Sequence, residues 1–380
     1  MKRRLSIMLC GILLSLNRAG AQSDIPQSDD RPTADSTTLV QPTAEPEQKK
    51  VGFFKRVIQF VDDIDTTYIT PNKYNWAVML QNTNSFETYS LHNKERDQKL
   101  SFSPKPGIKI GPYLGWRWIF LGYTLDVASL NNKMKTQKTE FELSLYSSVA
   151  GCDLIYRRTG SDFRLRKIRG LGDDAKEYEG TVCRGISVKV TGINAYYIFN
   201  HRRFSYPAAF AQSTVQRRSC GSWKVGFSYT QHFLDFNYNT LPYELTHNPK
   251  HEFSEDFQVD NLKYTDYSLT VGYAYNWVFR RNWLFCISFT PAFGYKRTNT
   301  SISESQRNPD AGASLKPLSD FNIDATLRAG LVWNTTKYFG GVSLIVHNYN
   351  YRHDRLNISN TFGTLNIYTG LNFHKRKAYR

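Results

Sequence analysis

From Tyr74 onward, apolar and polar residues alternate with a period of two, the spacing of a strand with one greasy and one wet face. Trp223, Val225, Phe227, Tyr229 and Phe233 share one side, and Lys224, Gly226, Ser228, Thr230 and His232 the other. Tyr267, Leu269, Val271, Tyr273, Tyr275, Trp277 and Phe279 alternate with Asp266, Ser268, Thr270, Gly272, Ala274 and Asn276. Trp283–Phe293 and Phe321–Trp333 follow the same rule. About twelve strands are predicted, near 74–90, 104–114, 116–128, 139–149, 152–159, 184–199, 221–235, 264–279, 283–297, 319–334, 337–350 and 361–373.

Such strands suit either a soluble sandwich, which hides the greasy face, or a membrane barrel, which shows it to lipid. Three features favour the barrel. The greasy faces end in aromatics such as Trp277, Phe279 and Trp283. The strands exceed the usual ~5–6 residues of soluble sheets. Short connections, at Leu114-Gly115, Ala150-Gly151, Arg280-Asn282 and Thr335-Lys337, alternate with long ones at 92–102, 129–138, 160–183, 237–262, 299–318 and 352–360. The expected fold is therefore all-β, a transmembrane antiparallel up-and-down barrel occupying 67–380. An even strand count brings both chain ends to one side. The final strand, with Leu365, Ile367, Leu371 and Phe373 on its greasy face, resembles a recognition signal for the barrel assembly machinery, although the basic tail His374–Arg380 follows it.

The first residues change where such a barrel is placed. Lys2, Arg3 and Arg4 precede the apolar run Leu5–Leu16, and Ala19-Gly20-Ala21 offers a cleavage site before Gln22. This is the order of a secretory signal peptide, 1–21, and implies export to the outer membrane. Its removal lowers the formal charge from +16 to +12, because Lys2, Arg3, Arg4 and Arg18 leave with it. Residues 22–50 contain no aromatic residue and read as a disordered linker. Phe53, Phe54, Val57, Ile58 and Val61 predict a short amphipathic helix over 51–66. The basic balance suits anionic headgroups of outer-membrane lipid. Nucleic acid is not an expected partner, since no binding motif is present.

Candidate chemistry is sparse. Cys152, Cys183, Cys220 and Cys286 allow three disulfide pairings, with no C-x-x-C motif and no preference from spacing. Asp63 and Asp65 form a D-x-D pair without further ligands. His247 and His251, near Glu252, Glu255 and Asp256, are separated by Pro249, which prevents the helix that would align them. Neither metal nor cofactor is expected. A barrel hydrolase would need a hydroxyl nucleophile, a His and an orienting group in contact. His232, His347 and Ser343 are the strand-borne candidates, yet residues 343 and 347 are about 13 Å apart along a strand. G-x-S-x-G and H-E-x-x-H are both missing. No enzyme is expected.

One connection breaks the pattern. Residues 200–220 should form a short turn but run to about twenty residues. Arg202, Arg203, Arg217 and Arg218 bracket an aromatic and amide-rich stretch that includes Gln212 and Gln216. Folded into the lumen, these arginines would pair with the inward acids Glu140, Glu142, Asp266 and Asp324, with Arg328 on the same polar face. Otherwise they meet water or lipid phosphate. A barrel of this size lies between the ~8 strands that side chains fill and the ~16–18 that leave a channel, so an inserted loop would narrow or seal it.

The run Asn200-His201-Arg202-Arg203-Phe204-Ser205-Tyr206, with Ala208, Ala209, Phe210, Gln212, Gln216, Ser219, Gly221 and Ser222, resembles a Bacteroidetes-type outer-membrane family known only as a domain of unknown function. Asp65–Ile69, Asp153–Tyr156 and the ending Tyr368, Gly370 and Phe373 are similar too. The resemblance spans nearly all of the chain after residue 60. It implies an outer-membrane barrel and carries no catalytic residues. The expected function is a narrow or plugged passive channel for a small solute, or a structural component of the outer membrane. The alternatives are a scaffold or adhesion protein that binds a periplasmic or surface partner and, after it, a barrel lipid hydrolase.

Overall fold

The computed structural model describes residues 63–116, 119–122, 125–126, 138–160, 163–251, 254, 257, 261–298, 321–353 and 356–379. The expected signal peptide and linker, and residues 51–62 of the expected helix, lie outside them. Residues 63–65 are irregular and 66–68 form a turn, so the helix does not extend to residue 66.

In chain order the strands are β1 (Ile69–Pro71), β2 (Tyr74–Asn93), β3 (Gln98–Ser103), β4 (Gly107–Trp116), β5 (Ile119–Gly122), β6 (Leu125–Asp126), β7 (Lys138–Tyr146), β8 (Ala150–Thr159), β9 (Phe163–Arg169), β10 (Val182–Cys183), β11 (Ile186–Ile198), β12 (Thr214–Gln216), β13 (Cys220–Phe236), β14 (Asn261–Arg280), β15 (Trp283–Thr298), β16 (Phe321–Asn334), β17 (Tyr338–His353) and β18 (Leu356–Lys375). β1 and β12 pair with each other, and the other sixteen form one antiparallel sheet. From β4 the wall runs β2, β18, β17, β16, β15, β14, β13, β11, β8 and β7, which is eleven strands. The interrupted β5–β6 line beyond β4 makes twelve. β3, β9 and β10 extend the wall at the loop end.

The sheet curls until its margins face one another. Glu140 of β7 accepts from Ser85 of β2 at 3.0 Å and from Lys109 of β4 at 3.1 Å. Thr159 of β8 donates to Glu87 of β2 at 2.8 Å. The architecture is a transmembrane β-barrel, because the face turned away from these contacts is apolar and exposed. On β14 that outer face reads Phe279, Trp277, Tyr275, Tyr273, Val271, Leu269 and Tyr267, while Asn276, Ala274, Gly272, Thr270, Ser268 and Asp266 point inward. Leu269 is 56% exposed. The twelve steps from Tyr267 to Phe279, at ~3.3 Å each and tilted by ~40°, rise about 30 Å. A lipid-facing band of ~25 Å with its aromatic girdles fits that height. Two outward amides interrupt the band on β2, where Asn84 donates to Asn82 and to the Leu365 carbonyl.

Beyond the band the two faces exchange character on the same strands. On β14 the outward residues become Lys263 and Asn261, and the inward ones Tyr264 and Leu262. β11 turns Lys189 and Ser187 outward, with Val190, Val188 and Ile186 buried inside. β2 does the same with Thr88, Ser90 and His92 against Tyr89 and Leu91. Water replaces lipid at this level, so the oily side turns inward and builds an ordinary core.

Several connections differ from expectation. The proposed loops 92–102 and 352–360 are mostly strand, because β2–β3 and β17–β18 continue into the apolar core above the band. Leu114 and Gly115 lie within β4. Ala150 and Gly151 open β8, and the turn is at 147–149 instead. Gly151 is needed for close approach rather than bending, since a Cβ there would stand 2.3 Å from the Tyr196 ring. Asn282 and Thr336, at φ +66° and +75°, do sit in the expected short turns.

Candidate functional site: a filled lumen

The interior is occupied in three layers. At the turn end the 200–220 segment folds inward as a plug. Ser205 starts the short helix α1 (Tyr206–Phe210), its hydroxyl accepting from the Ala208 amide at 3.2 Å, and Pro207 fits the first turn. Phe204, Tyr206, Ala208 and Ala209 are buried. Tyr206 packs against Tyr146, Tyr196 and Phe210. Ala208 and Ala209 pack against Leu284, Cys286 and Val332 of the wall.

Gln216 fastens this plug. Its carbonyl oxygen accepts from the Ser205 amide at 2.9 Å and from Asn276 at 3.1 Å. Its amide donates to the carbonyls of Arg203 and Arg218, at 2.7 and 3.0 Å. Gln212 donates to the Tyr368 hydroxyl at 2.7 Å and to the Ala209 carbonyl at 3.2 Å. Both glutamines are buried, and their polar atoms exchange water for backbone and wall partners.

The four arginines do not meet the interior acids. Arg202 binds Asp63 at 3.0 Å and Arg203 binds Asp65 at 3.4 Å. Arg203 and Arg218 both lie over the Tyr68 ring. Arg217 donates to Thr70 and Asn282. Inside, Glu140 is already paired with Arg157 and Asp324 with Lys296, so a further guanidinium would be desolvated there without a free partner. The arginines therefore clasp residues 63–71, and β1 adds to β12 with Ile69 opposite Gln216. Thr67, through its hydroxyl and amide, and then Arg203 hold the Asp65 carboxyl below the usual carboxylate range.

The middle layer is a buried ionic network. Arg328 of β16 donates to Asp153 of β8 and to the Tyr146 hydroxyl, each at 2.6 Å. Asp153 also accepts from Ser144 and Asn194. Arg157 reaches Glu140 at 2.6 Å and lies 3.6 Å from Glu87. Glu142 faces His347 at 3.4 Å. Lys296 pairs with Asp324 at 3.0 Å and stands 3.9 Å from Asp266. Lys224 donates to the Tyr206 hydroxyl and to Ser288, tying the network to the plug.

The third layer is the apolar core at the loop end. Phe102, Phe163, Leu165, Phe236, Phe257, Ile358 and Phe362 are among its members, each at most 2% exposed. His232 stacks on Tyr264, and His347 lies against Tyr349 and Phe362. Thr326, not Ser343, is the hydroxyl beside His347, at 3.2 Å. His247 stacks on Tyr243, whereas His251 is buried and 3.3 Å from Asp174. Their proposed companions Glu252, Glu255 and Asp256 lie outside the described residues. The described residues hold no group of three or more potential metal ligands from His, Cys, Asp and Glu. Cys152, Cys183, Cys220 and Cys286 are unbridged.

Sequence reasoning singled out Glu140, Glu142, Asp266, Asp324 and Arg328, all of which belong to the network. It did not single out Glu87, Asp153, Arg157, Lys224 or Lys296. Their inward parity on alternating strands was the available signal.

The model of a family described as Domain of unknown function (DUF4421) matches residues 63–373. The chain belongs to this family. The match takes in the plug, the network and all twelve wall strands. No curated protein matches the chain. Among solved structures, it is similar to the outer membrane protease OmpT from Escherichia coli, at 8% identity and a TM-score of 0.34, covering 82% of this chain and 100% of that one. It is also similar to the outer membrane protein OprG from Pseudomonas aeruginosa, at 8% identity and a TM-score of 0.23, covering 80% and 98%. A mutant of the TodX monoaromatic hydrocarbon channel gives 9% identity and a TM-score of 0.23, covering 80% and 93%. None of these likenesses transfers a residue role.

Proposed function

We propose that this DUF4421 protein is a sealed outer-membrane barrel, a structural component of that membrane rather than an open pore. In this account the signal at 1–21 exports the chain and the barrel assembly machinery inserts it, with the turn end facing the periplasm. The observation that carries the proposal is the three-layered filling of the lumen: plug, ionic network and apolar core. A water-filled path would have to cross Tyr206, the Arg328–Asp153 pair and the Phe102–Phe236 contact in turn, and all of these side chains are buried. The chain is read as non-catalytic, with His232 and His347 enclosed by aromatic rings instead of facing an open cleft.

Reconstitution into planar bilayers tests this. The refolded barrel is expected to insert without current steps. Ohmic, solute-dependent steps would replace the proposal with a passive channel. A scaffold role is the second reading, favoured by β1: residues before 69 lead directly into a strand fastened to the plug, so a periplasmic partner would find a handle there. Partner capture that requires residues 22–66 would support it.

A further inference from the structure

We infer that the turn end carries a binding site for the phosphodiester headgroup of an anionic phospholipid in the adjoining leaflet. A cleft of about 380 Å³ opens there, lined by Arg217, Arg280, Arg281, Asn282, Val278 and Phe279. Three guanidinium-bearing residues line it and, among the described residues, no carboxylate does. Arg280 and Arg281 end β14 and enter the turn to β15. Both are exposed, and neither side chain has an ion-pair or hydrogen-bond partner among the described residues.

Arg217 arrives from the plug. Its Nε donates to Thr70 Oγ1 at 2.9 Å and its Nη1 to Asn282 Oδ1 at 3.1 Å, which fixes the guanidinium beside the turn. Asn282 is itself held in place, at φ +66° and with its carbonyl accepting from the Asn334 amide at 2.9 Å. One cation of the site is therefore preorganised, and two are free to close on a ligand. Guanidinium forks match phosphate oxygens in pairs, so the donor set selects a phosphoryl group.

The apolar wall decides which phosphoryl group. Phe279 lines the cleft and, with Trp277 two residues further along β14, continues into the lipid-facing band. An acyl glycerol chain lying on these rings would place its phosphate among the arginines, whereas a soluble phosphate has no use for that wall. A second cleft of similar volume at the loop end shows what an answered charge looks like: Lys176 binds Asp173 at 2.6 Å, and Arg169 binds Asp97 at 2.8 Å.

The site rests on the membrane-barrel reading with the turn end in the phospholipid leaflet, and the experiment separates the two. The full chain, folded in dodecyl maltoside, is titrated with phosphatidylglycerol and followed by native mass spectrometry. One phosphatidylglycerol is expected to survive detergent exchange, with retention about tenfold weaker in Arg280→Gln/Arg281→Gln. Lys337→Gln, in the next short turn, should leave it unchanged. Should the double variant lose its heat-modifiable band, Arg281→Gln alone is expected to weaken retention several-fold. Equal retention in the folded variants overturns the site, as does full displacement by millimolar inorganic phosphate, which would mark a soluble ligand. A wild-type chain with no heat-modifiable folded form would instead sink the barrel reading itself.

Discussion

Arg328 on β16 and Asp153 on β8 meet at 2.6 Å although four strands separate theirs along the sheet. Both side chains are almost fully buried. The pair is a strut across the lumen, and its Asp is also held by Ser144 and Asn194. Breaking a buried pair leaves one charge without its partner, at a cost of about 3–5 kcal/mol. Arg328→Met should therefore lower the temperature at which the folded band is lost on detergent gels. Arg328→Met/Asp153→Leu should recover part of that loss. Equal melting of the single variant and wild type would show that the strut contributes nothing.

The plug has a chemical reporter in the wall. Cys286 is buried against Ala208 and Ala209, so a maleimide should label it slowly in the folded barrel. Gln216→Ala removes four hydrogen bonds and strands buried partners, at about 1–3 kcal/mol. In a background where Cys152, Cys183 and Cys220 are serine, that variant should label Cys286 faster than its parent. Unchanged labelling would mean that Gln216 does not hold the plug in place.

The Asp65 clasp predicts an acid-sensitive fringe. Its carboxyl is held below the usual range, first by Thr67 and then by Arg203, so its contribution is complete above the ordinary ~3.9 and fades as the pH drops through the lower folded value. Hydrogen exchange at the Arg217 amide, which donates to the Tyr68 carbonyl at 2.7 Å, reads this directly. After correction for intrinsic rates, protection should hold down to about pH 4 and fall below it. Asp65→Asn should show the reduced protection already at neutral pH. Protection indifferent to Asp65→Asn would remove the carboxylate from the clasp.

Much of the wall was legible because a period of two forces side chains to opposite faces. Tyr267 to Phe279 could hardly be anything but a strand with one oily side, and the twelve-strand count followed from such runs. The reversal of the faces was harder to see. Tyr264 and Leu262 look like more of the same alternation, and only the change of solvent from lipid to water explains why they turn inward. That is why 92–102 and 352–360 read as loops, their polar residues being those of an outer wet face. The plug was visible as an overlong turn with buried-type residues around Tyr206. Its arginines left two readings open, lumen or rim, and the sequence does not show that Glu140 and Asp324 are already answered by Arg157 and Lys296, which leaves Arg202 and Arg203 at the rim beside Asp63 and Asp65.

The face reversal is tested most directly on one strand. Leu269 and Lys263 both point outward on β14, six residues apart, inside and beyond the apolar band. Spin labels placed at each in a cysteine-free barrel in liposomes should differ sharply in collision partners. The label at 269 is expected to relax with dissolved oxygen and ignore a water-soluble nickel chelate, and the label at 263 to do the opposite. Nickel access at both positions, with the unlabelled chain stable and monodisperse in plain buffer, would contradict the membrane barrel outright.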